Sequence, residues 1–431
     1  MKILVVSSTP WNTNNSFGNS YSNIFHNMSD ELEIANLYCS DGIDNDPIVK
    51  RAFHITPKRL LKNLIDRRIN TGVEIPINPI TKGKEKGPLI DGKIIHFAKT
   101  HRWRIFFWGR DMLWRIGRWN SDELKQFLHD FNPDLIFCPI YEKPYMNRIQ
   151  LSIQRELDVP MLGYITDDNY TLHQFSLSPL YWIDRLMNRR LVKKAIDQCK
   201  ILYVISNSQM KEYDSIFRKN CKILTKGFNF SSNRPENQTF QTPYTLFYAG
   251  NIGANRWKSL EVIGKAIKRI NHNRNLFKLD IYTATPLTST MERNLDIPGC
   301  VRIHGAVSYQ KVVELQRKAD ILVHVEPTDL FHKWTPWLSF STKIVDYFYS
   351  NRPILAYGLL EQASLSHLKQ NDAAMIASTQ VEVEEWLKNI LNNNNILQYY
   401  ADQGWRCGEN FHDIHKFQIM LKKDFREGLG Q

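Results

Sequence analysis

A glycine turn followed by two cations in the second half of the chain has the residue types that bind phosphate. Gly250 and Gly253 follow the apolar run Phe247–Ala249, and Arg256 and Lys258 come next. Glycine lets the backbone approach a phosphate closely, while the two cations neutralise its charge. A solvated arginine and lysine at a helix start is the alternative, and we favour the anion site.

A second candidate site for an anion begins at Ser341. Ser341 and Thr342 are predicted to cap a helix, whose first turn offers free N–H groups and a partial positive charge. Lys343 adds a full charge, and Asp346 lies one turn later on the same face. The alternative is a capped surface helix with an ion pair between Lys343 and Asp346.

The run His101–Trp119 interleaves five arginines with four tryptophans. Such a composition suits a membrane interface, where Trp lies at the headgroups and Arg contacts lipid phosphate. The helical spacing of its apolar residues equally predicts a helix packed inside the domain with its arginines pointing outward. Stacking on single-stranded nucleic acid ranks behind both, and nucleic acid is not expected as a partner. The apolar residues with that spacing are Ile105, Trp108, Met112, Leu113 and Ile116.

The elements that must position these residues alternate in type. Continuous apolar runs are typical of strands buried on both faces of a parallel sheet. Helical patterns such as Ser259–His272, Tyr309–Lys318 and Thr342–Tyr349 lie between them, which predicts doubly wound α/β domains. The predicted strands are Lys2–Ser7, Leu32–Tyr38, Asp134–Cys138, Met161–Thr166, Ile201–Ser206, Cys221–Thr225, Thr245–Ala249, Phe277–Thr283, Val301–His304, Asp320–Val325, Pro353–Tyr357 and Ala373–Ser378.

A polar segment, 229–243, contains two prolines and divides the chain into two similar halves. The first predicted domain spans 1–228, and residues 44–130 within it are interpreted as an insertion. The second spans 244–405, and an amphipathic segment, 406–431, is expected to return to the first domain. Two Rossmann-like domains of this kind place a ligand cleft between the carboxyl ends of their strands.

Composition narrows the setting. The 431 residues, 42% of them hydrophobic, are enough for two domains with cores. Six scattered cysteines without a C-x-x-C pair disfavour a disulfide framework or a zinc site, so a reducing, cytoplasmic location is expected. The apolar run at the N-terminus is too short for a signal peptide, and no uncharged stretch is long enough to span a bilayer. A net charge of +12 favours anionic partners.

The second half resembles the retaining glycosyltransferases of the GT-B fold, in particular glycosyltransferase family 4 (glycosyl transferases group 1). The resemblance rests on short motifs in the family's order. After the glycine turn come Ile303–Ser308, Ala319–Val323, which is similar to the family's "ADI-V" strand, and Ser341–Ala356, which is similar to "SKIFEY…GKPVIA". The first half matches more loosely, at Phe17–Ser20, Tyr203–Ser208 and Lys226–Asn229.

The resemblance implies a role for each matching residue. Because Leu338 stands where the family often carries the first of two glutamates, Glu326 or Asp329 is expected to contact the donor sugar instead. Ribose or base contacts are implied for Asp346, His304, Gly305 and Val307. Diphosphate binding is implied for Gly18, Gly250, Gly253, Arg256, Lys258, Ser341, Thr342 and Lys343.

Two acidic residues, Asp167 and Asp168, follow the predicted strand Met161–Thr166. The resemblance implies that a residue here faces the cleft and contacts the donor sugar or the acceptor. We predict Asp168 in that catalytic position, with Asp167 as the second choice. A turn capped by Asp side chains is the alternative. A metal site is not expected, because two acids supply too few hard ligands.

The sequence therefore predicts a glycosyltransferase that needs no metal or other cofactor. It would move a sugar from a nucleotide diphosphate sugar to a hydroxyl acceptor, with retention, in the synthesis of a surface polysaccharide or glycolipid. A glycan or lipid-linked acceptor is expected, and an anionic membrane surface could meet His101–Trp119, which would make the protein peripheral on the inner face of the membrane. Two alternatives remain: a nucleotide-sugar epimerase or hydrolase of the same fold, and a non-catalytic membrane-binding module.

Overall fold

The computed structural model describes residues 1–13, 15–75, 104–232, 234–236 and 239–430. Within them the chain forms two α/β domains, each built on a parallel sheet with helices on both faces. The predicted fold class is confirmed. Residues 101–103 of the basic aromatic run lie outside the described residues.

The first sheet has eight strands among the described residues, in the order β4-β3-β2-β1-β5-β6-β7-β8. All neighbours are parallel except β3 and β4, which are antiparallel. Alternate residues of β1 enter cores on opposite faces of the sheet, Leu4 and Val6 on one and Ile3 and Val5 on the other. The strands are β1 (Lys2–Ser7), β2 (Glu33–Tyr38), β3 (Val49–Ile55), β4 (Gly72–Ile75), β5 (Leu135–Pro139), β6 (Met161–Ile165), β7 (Cys199–Val204) and β8 (Cys221–Ile223).

Strands β3 and β4 fall inside the segment 44–130 that was interpreted as an insertion. Both belong to the main sheet, at its edge, so that part of the segment continues the sheet of the domain. Helices of this domain are α1 (Ser16–Ile24), α2 (Pro57–Ile65), α3 (Arg104–Ile116), α4 (Asp122–Phe131), α5 (Pro144–Leu157), α6 (Pro179–Gln198) and α7 (Asn207–Phe217).

The second sheet has six parallel strands among the described residues, in the order β11-β10-β9-β12-β13-β14. Its strands are β9 (Tyr244–Ala249), β10 (Phe277–Tyr282), β11 (Val301–His304), β12 (Ile321–Val325), β13 (Ile354–Tyr357) and β14 (Met375–Ala377). Its helices are α8 (Arg256–Asn271), α9 (Ser289–Leu295), α10 (Tyr309–Lys318), α11 (Lys343–Tyr349), α12 (Ala363–Gln370), α13 (Gln380–Asn392) and α14 (Asn395–Phe411).

A last helix, α15 (Ile414–Gly428), packs on the first domain. Phe417, Leu421 and Phe425 enter the core under β1. The hydroxyl of Tyr203 donates a hydrogen bond to Asp424 at 2.8 Å, which fixes the helix against β7.

The chain therefore passes between the domains twice, and the two passages lie side by side. Phe228 donates its N–H to the carbonyl of His412 at 3.0 Å and accepts the N–H of Ile414 at 3.0 Å. The side-chain amide of Asn23 hydrogen-bonds both backbone groups of Gly227. These contacts join the two passages to the first domain.

Candidate functional site

A cavity of about 1200 Å³ opens between the domains. Loops at the carboxyl ends of β1, β5 and β6 bound it on one side, and 340–342 of the second domain bound it on the other. Single small-molecule pockets have about 300–1,000 Å³, so this cavity has room for a ligand larger than a typical small molecule. Both sheets present the carboxyl ends of their strands here, as expected for ligand sites of doubly wound domains.

The glycine turn after β9 lies against the ammonium group of Lys343. Gly250 has φ +150°, and a Cβ placed on it would lie 2.7 Å from Lys343 Nζ. The ammonium donates to the carbonyl of Ala249 at 3.3 Å and lies 4.5 Å from the ring centroid of Tyr248. Desolvation of Lys343 and repulsion by Arg256 lower its pKa to about 8. Two motifs more than ninety positions apart thus form one cationic turn.

Arg256 is held in place by Glu326. The guanidinium donates from Nε and Nη2 to one carboxylate oxygen, at 3.0 and 2.9 Å. Burial pushes the pKa of Glu326 upward, but His324 and Arg256 outweigh it, and the pKa ends below its usual value. The carboxylate expected at the donor sugar therefore faces Arg256.

The other residue expected at the donor sugar, Asp329, is engaged within its own loop. It accepts hydrogen bonds from His332 Nδ1 at 2.8 Å and from the N–H of Phe331 at 3.2 Å. Leu338 has only 2% of its surface exposed and joins the core of the first domain. A residue at the position of the family's first glutamate is thus buried between domains in this chain.

Lys258 does not join Arg256. Two residues along a helix are about 200° apart, so the two side chains leave α8 in different directions. Lys258 is exposed, with its ammonium 5.6 Å from the ring centroid of Trp257. The second cation at the turn is Lys343 rather than the predicted Lys258.

The two aspartates have different surroundings, and the first choice, Asp168, does not line the cavity. Asp168 is buried and accepts hydrogen bonds from the N–H groups of Tyr170 and Thr171 and from the hydroxyl of Tyr213. It also lies 3.5 Å from Arg185. Asp168 therefore holds the loop after β6, which is the capped-turn alternative.

Asp167, not Asp168, lines the cavity. Its carboxylate accepts a hydrogen bond from Ser339 of the second domain at 3.3 Å. Desolvation between the domains raises its pKa, Asp168 adds to the rise, and Arg256 acts in the opposite direction. Asp167 therefore faces Arg256 across the cleft.

Asp346 takes part in a contact between domains that the sequence did not predict. Its Oδ1 accepts hydrogen bonds from the buried Lys226 at 2.6 Å and from the hydroxyl of Tyr309 at 3.0 Å. Both bonds end on the same carboxylate oxygen. The buried lysine lies in the segment after β8 that resembles the family's approach to the linker.

Ser341, Thr342 and His304 were also predicted as site residues. Ser341 and Thr342 line the cavity, but neither forms the predicted side-chain cap of α11. His304 bonds Asp280 at 2.8 Å and stacks on Tyr282.

Four further residues expected to bind the donor have these surroundings. Gly305 and Val307 follow His304 in an exposed loop. Gly18 donates its N–H to Asn15, and a Cβ on it would lie 2.1 Å from the backbone oxygen of Asn12. Gly18 thus allows close backbone packing, while its own N–H is already bonded. Gly253 donates its N–H to the side chain of Asn251 at 2.6 Å.

Solved structures share this fold over nearly the whole chain. Sucrose-phosphate synthase from Thermosynechococcus elongatus aligns with a TM-score of 0.61 at 11% identity, covering 99% of this chain and 98% of that one. Anabaena HepE in complex with UDP-glucose aligns with a TM-score of 0.60 at 11% identity, covering 99% and 100%. The UDP-forming α,α-trehalose-phosphate synthase of Burkholderia vietnamiensis aligns with a TM-score of 0.57 at 11% identity, covering 99% and 100%.

The chain has the GT-B fold. These neighbours are GT-B glycosyltransferases. No family model and no curated protein matches the sequence. The resemblance to family 4 therefore stays a prediction.

Helix α3 of this GT-B chain carries most of the basic aromatic run and is only partly packed. Trp114 is buried and stacks on Tyr145, with Leu113 beside it. Trp108, Met112 and Ile116, expected on the packed face, are exposed instead. No helix among the described residues is long and apolar enough to cross a bilayer.

The first-domain wall of the cavity holds cations next to apolar groups. Lys143 Nζ donates to the hydroxyl of Ser8 at 3.0 Å, and burial together with nearby Arg110 lowers its pKa to about 8. Arg110 lies over the rings of Phe107 and Tyr145. Within the described residues, neither Lys143 nor Arg110 has an ion pair with a carboxylate. Apolar side chains of the same wall are Phe107, Trp108, Met112, Ile183 and Met187.

Proposed function

We propose that this protein is a glycosyltransferase that moves a sugar from a nucleotide diphosphate sugar to a hydroxyl acceptor. The observation that carries the proposal is the cationic turn, where Lys343 lies against Gly250 and is close enough to Arg256 for the two charges to repel each other. Negative charge builds on the diphosphate as the glycosidic bond breaks, and fixed cations stabilise it most where water is excluded. Structures of HepE with UDP-glucose and with UDP support a donor of this class.

The two cations make a divalent metal unnecessary in this mechanism. Arg256 is oriented by Glu326, and Lys343 is oriented by the carbonyl of Ala249. Asp346, with one oxygen bonded to Lys226 and Tyr309, would accept from the ribose hydroxyls with the other. Tyr282 and His304, already stacked, would lie against the base.

Retention of configuration is part of the proposal. In that mechanism the departing diphosphate takes the acceptor's proton, so no separate catalytic base is required. Asp167, on the opposite wall, would hydrogen-bond a sugar hydroxyl, because it is the acid that lines the cavity beside Ser339.

The acceptor would combine an anionic group with an apolar one. Lys143 and Arg110 repel each other without a neutralising carboxylate, which favours a phosphate between them. Phe107, Met112 and Met187 would contact a hydrocarbon chain. A polyprenyl phosphate or diphosphate that carries a growing surface glycan has both features.

A peripheral position on the inner face of a membrane is a further part of the proposal, supported by the same wall. α3 and α6 are joined by the indole N–H of Trp108, which donates to Asp184 at 3.1 Å. Exposed apolar side chains continue along both helices, namely Phe106, Met112 and Ile116 on α3 and Leu180, Leu186 and Met187 on α6. With a net charge of +12, this surface suits anionic headgroups.

Calorimetry with UDP, GDP and dTDP tests the donor half. We expect one of them to bind, and Arg256→Gln to weaken that binding at least about 100-fold, as loss of one charge-assisted contact allows. Lys258→Gln, a loss of the same kind of charge in the same turn, is the matched control and should bind like the wild type. A folded protein that binds none of the three nucleotides contradicts the proposal.

Pelleting with vesicles tests the acceptor half. Vesicles with and without polyprenyl phosphate are compared for the wild type, Lys143→Gln with Arg110→Gln, and the exposed control Arg118→Gln. We expect the double variant to lose the preference for polyprenyl phosphate and the control to keep it. Equal preference in all three contradicts an acceptor phosphate at Lys143. Donor incubated alone should give neither epimer nor rapid release of free sugar.

A further inference from the structure

Outside the cleft, three side chains with metal-ligating atoms meet in the second domain. They are His367 of α12, Cys407 of α14 and His412, which ends α14. One nitrogen from each histidine and the sulfur lie within 4.8 Å of one another. Cys407 and His412 are buried, while His367 is partly exposed and offers a way in.

The spacing of these atoms fits one metal ion. The two Nε2 atoms are 3.0 Å apart, and Cys407 Sγ is 3.4 Å from His367 Nε2. A tetrahedral zinc, with Zn–N near 2.05 Å and Zn–S near 2.3 Å, sets its ligand atoms about 3.3 Å (N to N) and about 3.6 Å (N to S) apart. All three ligand atoms lie within 4.8 Å of one another, so the widest separation must close by up to about 1 Å to reach that geometry.

Hydrogen bonds alone do not satisfy this cluster. His367 Nε2 faces both His412 Nε2 and Cys407 Sγ, and a neutral ring nitrogen either donates one bond or accepts one. A cation at the centre would engage all three facing atoms at once.

Aromatic rings surround much of the cluster. Phe340 stacks on His412 with ring centroids 5.2 Å apart and meets His367 edge-on at 5.2 Å. Phe411 meets His367 edge-on at 5.7 Å. An aromatic shell of this kind limits competing water and strengthens metal–ligand bonds.

We propose that His367, Cys407 and His412 bind a zinc ion that fastens α12 to the point where the chain returns to the first domain. On binding, the thiol of Cys407 loses its proton to solvent and its sulfur bonds the metal, while both histidines bind through neutral nitrogens. A water molecule would take the fourth position, as at other three-ligand zinc sites.

The position of the site gives it a structural role. His412 accepts the N–H of Phe228 through its carbonyl, and Phe340 directly precedes Ser341 and Thr342 of the cleft wall. Zinc would therefore stiffen both the return of the chain and this wall. The proposal does not depend on the donor or the acceptor.

Titration of the metal-free full-length protein with Zn²⁺ and Co²⁺ tests the site. We expect one equivalent of Zn²⁺, and a Co²⁺ complex with a thiolate charge-transfer band and tetrahedral visible absorption. Cys407→Ala should remove the band and weaken Zn²⁺ at least about 100-fold, the upper end of what loss of an outer-shell partner costs. Cys300→Ala, another buried cysteine outside the cluster, is the matched control and should bind like the wild type.

His367→Gln serves as a second variant, because His367 is partly exposed and its loss disturbs the core least. It should weaken Zn²⁺ by a similar factor and abolish the rise in melting temperature that Zn²⁺ gives the wild type. Absence of stoichiometric binding by the wild type, a Co²⁺ spectrum without thiolate, or equal affinity in wild type, Cys407→Ala and His367→Gln overturns the proposal.

Discussion

UDP, the nucleotide in one of the HepE complexes, serves as the probe. Its affinity should fall about tenfold between pH 7 and pH 9, the size of the change in Lys343 protonation. In the free protein, desolvation and Arg256 lower the pKa of Lys343 to about 8. A diphosphate beside the ammonium favours the charged form and raises that pKa again. Binding above pH 8 must therefore take up a proton, which weakens it as the pH rises.

The magnitude follows from the free pKa. With a pKa of about 8, the ammonium is about 90% protonated at pH 7 and about 10% protonated at pH 9. If the bound form stays protonated throughout, the observed binding constant follows this fraction. The tenfold change corresponds to about 1.4 kcal/mol. Affinity is thus near its full value at and below pH 7, about half of it at pH 8, and lost progressively above that pH.

Calorimetry at pH 7, 8 and 9, in two buffers of different ionisation enthalpy, measures both the affinity and the protons taken up. The terminal phosphate of UDP titrates near pH 6, about as other phosphate monoesters do, and so leaves this window clear. Lys343→Met should bind UDP more weakly and with no slope, whereas Lys258→Gln should keep the slope of the wild type. A wild-type affinity that does not change from pH 7 to 9, or a Lys343→Met variant with the wild-type slope, would refute the reasoning.

Three further substitutions separate binding from stability. Gly250→Ala adds a Cβ 2.7 Å from Lys343 Nζ, at a residue with φ +150°. It should lower stability in urea unfolding by about 1–3 kcal/mol and UDP affinity in calorimetry at least about tenfold. Unchanged UDP binding would contradict the turn's role. Asp168→Asn removes the negative charge beside buried Arg185. It should lower stability in urea unfolding by about 3 kcal/mol and leave the UDP affinity of the folded protein unchanged. A stable variant that no longer transfers sugar would restore Asp168 as the catalytic residue. Glu326→Gln leaves Arg256 without its carboxylate and should lower UDP affinity at least about tenfold, with a loss of about 2 kcal/mol in stability, and wild-type affinity would argue against orientation by Glu326.

The sequence predicts the sheets better than the side chains that meet between them. Continuous apolar runs such as Lys2–Ser7 mark strands buried on both faces, and the structure confirms them. β3 was missed because Val49–Ile55 mixes charged and apolar residues, as strands near a sheet edge do. β3 is buried because it pairs with β2, and the residue pattern of β3 alone does not indicate that pairing.

Site residues depend on geometry that spacing does not carry. Asp167 and Asp168 are adjacent, and a loop that turns once can bury either of them, so type alone could not rank them. Lys343 and Gly250 are far apart in the sequence, and only the fold of the second domain brings them together. Lys226 gave a motif signal but no sign that it would be buried against Asp346.

The paired passages of chain at Phe228 and His412–Ile414 define how the two domains can move. Two neighbouring segments of backbone joined by hydrogen bonds form a hinge axis. The domains can rotate about this axis, but separating the two domains would break the hydrogen bonds. Lys226 lies two residues from Phe228, so a small rotation about this hinge axis changes its distance to Asp346 little, whereas residues farther from the axis move more. Opening for substrates and closing for transfer would then be the same rotation in opposite directions. The proposed zinc ion, bound at His412, would hold the hinge axis in place during that rotation.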